Sequence, residues 1–81
     1  MKKKNKTGKP NNLKNIRTKE GLSRAALARE SELTEQTVRR VEKGQPSTAP
    51  TRHRLLMALN TLAKNGQHTY KQVFPNDPEV D

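Results

Sequence analysis

Cysteine is absent from the chain, which excludes disulfides, thiolate zinc sites and cysteine nucleophiles. Aromatic residues are nearly absent: one Tyr, one Phe and no Trp leave no stacking platform for single-stranded nucleic acid or RNA. The two histidines, His53 and His68, have no partners at metal-ligand spacing, so no metal site and no cofactor are expected. No run approaches the roughly 20 apolar residues of a membrane span. The basic start, Met1-Lys2-Lys3-Lys4-Asn5-Lys6, lacks the apolar segment of a signal peptide. These absences point to a cytoplasmic protein with no membrane partner. Nor is there a Ser-His-Asp layout, a glycine-rich phosphate loop or a close carboxylate pair, so the chain reads as a non-enzyme with no evident small-molecule ligand.

What is abundant is positive charge. Seventeen Lys+Arg against 8 Asp+Glu give a formal net charge of +9 in 81 residues. A balance of that size in one small domain calls for a polyanionic partner, most often nucleic acid. The charge is uneven. Lys2, Lys3, Lys4, Lys6 and Lys9 crowd the start, broken by Gly8 and Pro10. Residues 1–10 are therefore expected to be a disordered basic arm, either following the duplex or only solubilising the chain. Residues 76–81, acidic and proline-broken, are expected to be a loose tail. The folded domain is then 11–75, and it contains every hydrophobic residue except Met1 and Val80.

Within that window the apolar spacing is helical, and the fold class is all-α: a compact bundle of four to five helices. Leu13 and Ile16 mark a first helix, capped by Asn11 or Asn12 and closed by Gly21, with Leu22 folding back on Ile16. Ser23 caps a second helix, which turns Leu27 and Ala28 inward and closes near Glu30 or Ser31. Thr34 caps a third, with Val38 and Val41 facing inward and Gly44 at its end. A loop over 45–50 precedes a fourth helix opened by Pro50 or Thr51, with Leu55, Leu56, Leu59, Leu62 and Ala63 as its apolar side and Asn65-Gly66 as its end. A last turn over 69–73 places Tyr70, Val73 and Phe74 on the core.

Two short helices joined by about three residues in a basic helical domain suggest a helix-turn-helix, running from Arg24 to Glu42. Ala28 must be small where the second helix of the pair crosses, Leu33 plugs the turn, and Val38 and Val41 hold the next helix down. The pattern Leu13, Ile16, Arg17, Gly21-Leu22-Ser23, Leu27-Ala28, Leu33-Thr34, Thr37-Val38, Val41-Glu42 and Gly44 resembles the phage-repressor-like Xre/Cro helix-turn-helix family. The similarity continues through Leu55, Ala58, Leu59-Asn60 and Tyr70…Val73-Phe74-Pro75, covering about 12–75.

The resemblance implies a lambda-repressor-like domain that reads duplex DNA through its third helix, as a transcriptional regulator, most often a repressor working as a homodimer on near-palindromic sites. It also implies an ion pair between Arg17 and Glu42. Three positions depart from the family's habit: Arg24 stands for a common Gln, Glu32 for the turn glycine, and Ser31 for a leucine.

With the third helix in the major groove, Glu35, Gln36, Arg39 and Arg40 are the candidate base readers. Gln36 suits adenine and Arg39 or Arg40 suits guanine, the other arginine taking a phosphate. Glu35 either accepts from a cytosine amino group or only complements the helix dipole. Ser23, Arg24, Thr34, Thr37, Lys43, Gln45 and Arg52 are the candidate phosphate contacts. Leu56, Met57, Leu62, Tyr70 and Phe74 either form a dimer surface or pack beneath the last helix. An antitoxin-like or adaptor protein using the same fold to bind another protein is the alternative, and a regulator on DNA would be nucleoid-associated.

Overall fold

Residues 10–79 are described by a computed structural model. In chain order they form α1 (Leu13–Lys19), α2 (Arg24–Ser31), α3 (Glu35–Glu42), α4 (Ala49–Leu62) and the single turn α5 (Tyr70–Val73). No strand occurs among them, so the all-α expectation holds. Of the expected basic arm over 1–10, residues 1–9 lie outside the described residues.

Each boundary follows from a backbone need. The first N–H groups of a helix have no partner inside it, and a side-chain oxygen supplies one. Ser23 accepts from Ala26 N–H at 3.0 Å and Thr34 from Thr37 N–H at 3.1 Å. Thr48 does the same for Thr51 N–H at 3.4 Å. α4 therefore starts at Ala49, one residue before the earliest expected position, with Pro50 inside its first turn where a missing N–H costs nothing. Thr69 and Gln72 form a reciprocal capping box on α5. At α1 the two asparagines divide the work: Asn12 holds the cap position, while the Asn11 side chain accepts from Leu13 N–H at 3.0 Å.

Helix ends close by the left-handed route. Gly21 has φ 73°, and Leu22 N–H reaches back to the Arg17 carbonyl at 3.1 Å. Gly44, at φ 82°, closes α3 in the same way, with Gln45 N–H on the Arg40 carbonyl. Glu32 has φ 61°, so the turn between α2 and α3 does force a non-glycine residue left-handed. α4 stops at Leu62, short of Asn65-Gly66, because the Glu20 carboxylate takes the Lys64 and Asn65 N–H groups at 2.9 and 3.2 Å.

α2 packs against both α3 and α4, α1 leans on α3, and α5 closes against α4. Leu13, Leu27, Val38, Leu55, Leu59, Val73 and Phe74 are buried where these elements meet, with Ala28, Val41, Ala58 and Tyr70 around them. Each large side chain so buried contributes about 1.5–3 kcal/mol. Ile16, Leu22, Leu33 and Leu56 pack on the rim of this cluster. Ser31, in the place of an expected leucine, is buried with its hydroxyl donating to the Ala28 carbonyl at 3.1 Å. Tyr70 and Phe74 lie in the core, their rings 5.3 Å apart, which removes them from any dimer surface. Of the five candidates for that role only Met57 is exposed, Leu56 and Leu62 being half-buried.

The segment after Phe74 departs from the expected loose tail as far as Glu79. The Pro78 carbonyl accepts from Tyr70 Oη at 2.6 Å and from the Arg52 guanidinium at 3.0 Å. Asn76 donates to the Pro10 carbonyl at 3.0 Å, and the Glu79 carbonyl lies 3.1 Å from His53 Nε2. Two buried donors, Arg52 and Tyr70, hold this segment where its composition gave no reason to fold.

Candidate nucleic-acid interface

α3 has two faces, set by the 3.6-residue period. Val38 and Val41 are buried, whereas Glu35, Gln36, Arg39 and Arg40 are all exposed. The four candidate readers thus share the outer side of one helix, and among the described residues no segment covers them.

That helix is braced from behind. The Glu42 side chain is only 2% exposed and accepts from Arg17 Nε at 2.5 Å and from its second nitrogen at 3.4 Å. A further Arg17 nitrogen donates to the Leu22 carbonyl at 2.8 Å, so the guanidinium joins α3 to the α1–α2 connection. Arg24 adds a bond the sequence did not foretell, donating from Nε to Glu42 Oε1 at 3.2 Å. One buried carboxylate therefore satisfies two arginines on two helices. Asn11 Nδ2 donates to the Val41 carbonyl at 2.7 Å, tying the end of α3 to the start of α1.

The candidate phosphate contacts separate into two groups. Ser23, Thr34, Lys43 and Gln45 are exposed, and Thr37 and Arg24 are half-buried. Thr34 and Thr37 hydroxyls share one hydrogen bond at 2.9 Å. Two hydroxyls carry two hydrogens, so one proton of this pair remains for an outside acceptor. Gln45 Oε1 accepts from Arg40 Nε at 3.3 Å, linking the loop after α3 to a candidate reader.

Arg52 does not belong with these residues. It is 2% exposed and spends its donors on Tyr70 Oη at 2.6 Å, on the Pro78 carbonyl, and on both the carbonyl and hydroxyl of Ser47. The signal lay in its spacing: Arg52 falls on the helical stripe of Leu55 and Leu59, the inward face of α4. His53, beside it, stacks on the Tyr70 ring at 5.0 Å.

A second buried carboxylate lies away from α3. Glu20 accepts through Oε1 from Lys64 N–H, Asn65 N–H and Asn65 Nδ2, and its Oε2 is 2.9 Å from His68 Nε2. The His68 hydrogen bond, then the Lys64 N–H bond, hold its carboxyl below the ordinary range against the opposing effect of burial. Neither Glu20 nor its partners carried a pattern visible in the sequence. No cluster of metal-ligating residues occurs among the described residues. None of their helices is long and apolar enough to cross a membrane.

The profile of a helix-turn-helix family matches residues 13–65, from the first residue of α1 to just past α4. The chain belongs to this helix-turn-helix family. Its members are DNA-binding regulators of the Xre and lambda-repressor type, and the five-helix arrangement is the lambda-repressor-like fold. The chain matches no curated protein and no solved structure. In helix-turn-helix terms α2 and α3 are the pair and Glu32-Leu33-Thr34 is the turn, so α3 stands in the second-helix position of the motif.

Proposed function

We propose that this helix-turn-helix protein is a sequence-specific transcriptional regulator that represses by occupying its DNA site. The observation that carries the reading is the outward placement of Gln36, Arg39 and Arg40 on a helix whose rear is held by Arg17 and Glu42. Held in this way, the side chains meet base edges in the major groove without a further loss of helix freedom. Gln36 pairs with adenine, one of Arg39 and Arg40 pairs with guanine, and Glu35 faces the groove from the first turn.

Ser23, Arg24, Thr34, Thr37, Lys43 and Gln45 surround this helix as backbone contacts, supplying affinity and salt dependence rather than sequence choice. The Glu42 bond leaves the terminal nitrogens of Arg24 for a phosphate. A single module of this size buries little DNA, so two copies on half-sites about one helical turn apart are the working unit.

Selection of duplexes from a random library, followed by affinity measurement, tests the reading. Gln36→Ala and Arg40→Ala are expected to cost about 1–3 kcal/mol on the selected duplex and to relax one base position each. Lys43→Ala is expected to weaken all duplexes alike and to lower the salt slope by about one. Equal affinity of the unaltered protein for selected and random duplexes would refute sequence-specific reading.

A further inference from the structure

The loop from Gln45 to Thr48 follows the Lys43-Gly44 close of α3, and one end of it is held from a distance. Gln45 meets Arg40 through Oε1, and Pro46 stiffens the next step of the chain. Ser47 is then gripped by both its carbonyl and its hydroxyl, each accepting from the same terminal nitrogen of Arg52.

The other donors of that buried guanidinium face the opposite way. Nε donates to Tyr70 Oη at 2.6 Å and the second terminal nitrogen to the Pro78 carbonyl at 3.0 Å. Tyr70 Oη in turn donates to the same Pro78 carbonyl at 2.6 Å. His53 stacks on Tyr70 and meets the Glu79 carbonyl. Tyr70, Pro78 and Glu79 all lie beyond the residues matched by the family, 13–65.

We propose that Arg52 is a positioning residue for DNA reading: it couples the segment Tyr70–Glu79 to the loop after α3, and so sets Gln45 and through it Arg40. The inference rests on the function proposed above. A guanidinium is suited to the task because its donors lie in one rigid plane, so acceptors on either side of it are fixed relative to one another. A lysine at this position keeps the charge but loses the plane. A phenylalanine at 70 keeps the ring in the core and removes the hydroxyl shared by Arg52 and Pro78.

The test compares the full-length chain with Arg52→Lys, Tyr70→Phe, Gln45→Ala and the double variant Arg52→Lys/Gln45→Ala. Binding is read by fluorescence anisotropy on the selected duplex and on a shuffled duplex of equal length. The folded fraction is fixed by circular dichroism at the measuring temperature. Arg52→Lys is expected to bind the selected duplex about tenfold more weakly and Tyr70→Phe about threefold, with a smaller loss on the shuffled duplex. Because the effect runs through Gln45, Arg52→Lys should change the affinity of the Gln45→Ala protein by less than about twofold.

Amide hydrogen exchange at Gln45, Ser47 and Thr48 should speed up in Tyr70→Phe, a readout that stands if the Arg52 variant does not fold. Full affinity of the folded variants, tighter binding by them, or additive losses in the double variant would each overturn the proposal. Failure of the unaltered protein to prefer any duplex would overturn the proposed function with it. Normal binding by the unaltered protein together with unimpaired variants would overturn the coupling alone.

Discussion

Glu42→Ala tests the brace behind α3. The Glu42 side chain is 2% exposed, and the Arg17 side chain it meets is 10% exposed. Removing the carboxylate strands Arg17 in a site where water reaches it poorly and leaves only the Leu22 carbonyl, at 2.8 Å, as an acceptor. Breaking a buried pair from one side costs about 3–5 kcal/mol, whereas an exposed pair is worth about 0–1. Arg24 softens the loss, since its side chain is 27% exposed and can turn to solvent. The retained Leu22 bond softens it further, so about 2–4 kcal/mol is expected.

For a domain of this size each kcal/mol shifts the melting temperature by about 4–8 °C. Glu42→Ala should therefore lower it by roughly 8–32 °C in a thermal scan followed by circular dichroism. The double variant Arg17→Met/Glu42→Leu separates the two sources of that loss. If the cost is the stranded charge, removing both partners restores most of the stability, because a well-packed apolar pair replaces a buried ion pair at little or no loss. A Glu42→Ala protein within about 0.5 kcal/mol of the unaltered chain would refute the brace, since that is the behaviour of a solvated surface pair.

Glu32→Gly should stabilise the domain by about 0.5–1 kcal/mol, because the φ of 61° strains a residue with a Cβ, and the exposed ion pair to Arg54 at 3.6 Å is worth little; an unchanged midpoint in urea would count against that strain. Glu20 predicts a loss of stability in acid. Its folded pKa lies below the usual value of 4.5, chiefly through the His68 hydrogen bond, so its contribution is present above that value and falls away as pH drops through the folded pKa. Glu20→Gln should flatten the acid limb of a stability–pH curve, and an identical limb in that variant would place the loss elsewhere. Met57→Ser should leave monomer stability within about 0.5 kcal/mol, since the side chain is 70% exposed. Sedimentation of the same variant tests whether α4 takes part in self-association.

The helices were legible because local rules set them. Ser23 and Thr34 cap where a hydroxyl precedes a helical stripe, and Gly21 and Gly44 close where a left-handed residue is needed. The two faces of α3 followed from its period. Long-range polar bonds were illegible for an equally physical reason: nothing in the neighbours of Glu20 or Arg52 states which distant backbone groups will lack partners. Glu20 meets N–H groups 44 and 45 residues away, and Arg52 meets a carbonyl 26 residues on. The charge of Arg52 and its place beside the loop point to a phosphate contact, whereas its register with Leu55 and Leu59 places it inside. Register is the stronger guide where a long side chain can carry its charge to buried oxygens. The stretch as far as Glu79 was illegible in the same way, since composition measures apolar surface and this stretch is held by the Pro78 and Glu79 carbonyls.

The division of labour within α3 has a consequence for how such a protein changes. Val38, Val41 and Glu42 bind the helix to the rest of the domain, while Glu35, Gln36, Arg39 and Arg40 touch little of it. Substitutions on the outer set should alter the bases preferred with stability changes within about 0.5 kcal/mol, because exposed positions away from caps and networks rarely cost more. Arg40 is the exception, since its bond to Gln45 ties it to the loop that Arg52 holds. The outer face is therefore not uniform: three positions are free to exchange one at a time, whereas a change at Arg40 should demand a matching change at Gln45. Double-mutant cycles on duplex affinity would show this as coupling at the Arg40–Gln45 pair and additivity at Gln36 with Gln45, and equal coupling at both would contradict it.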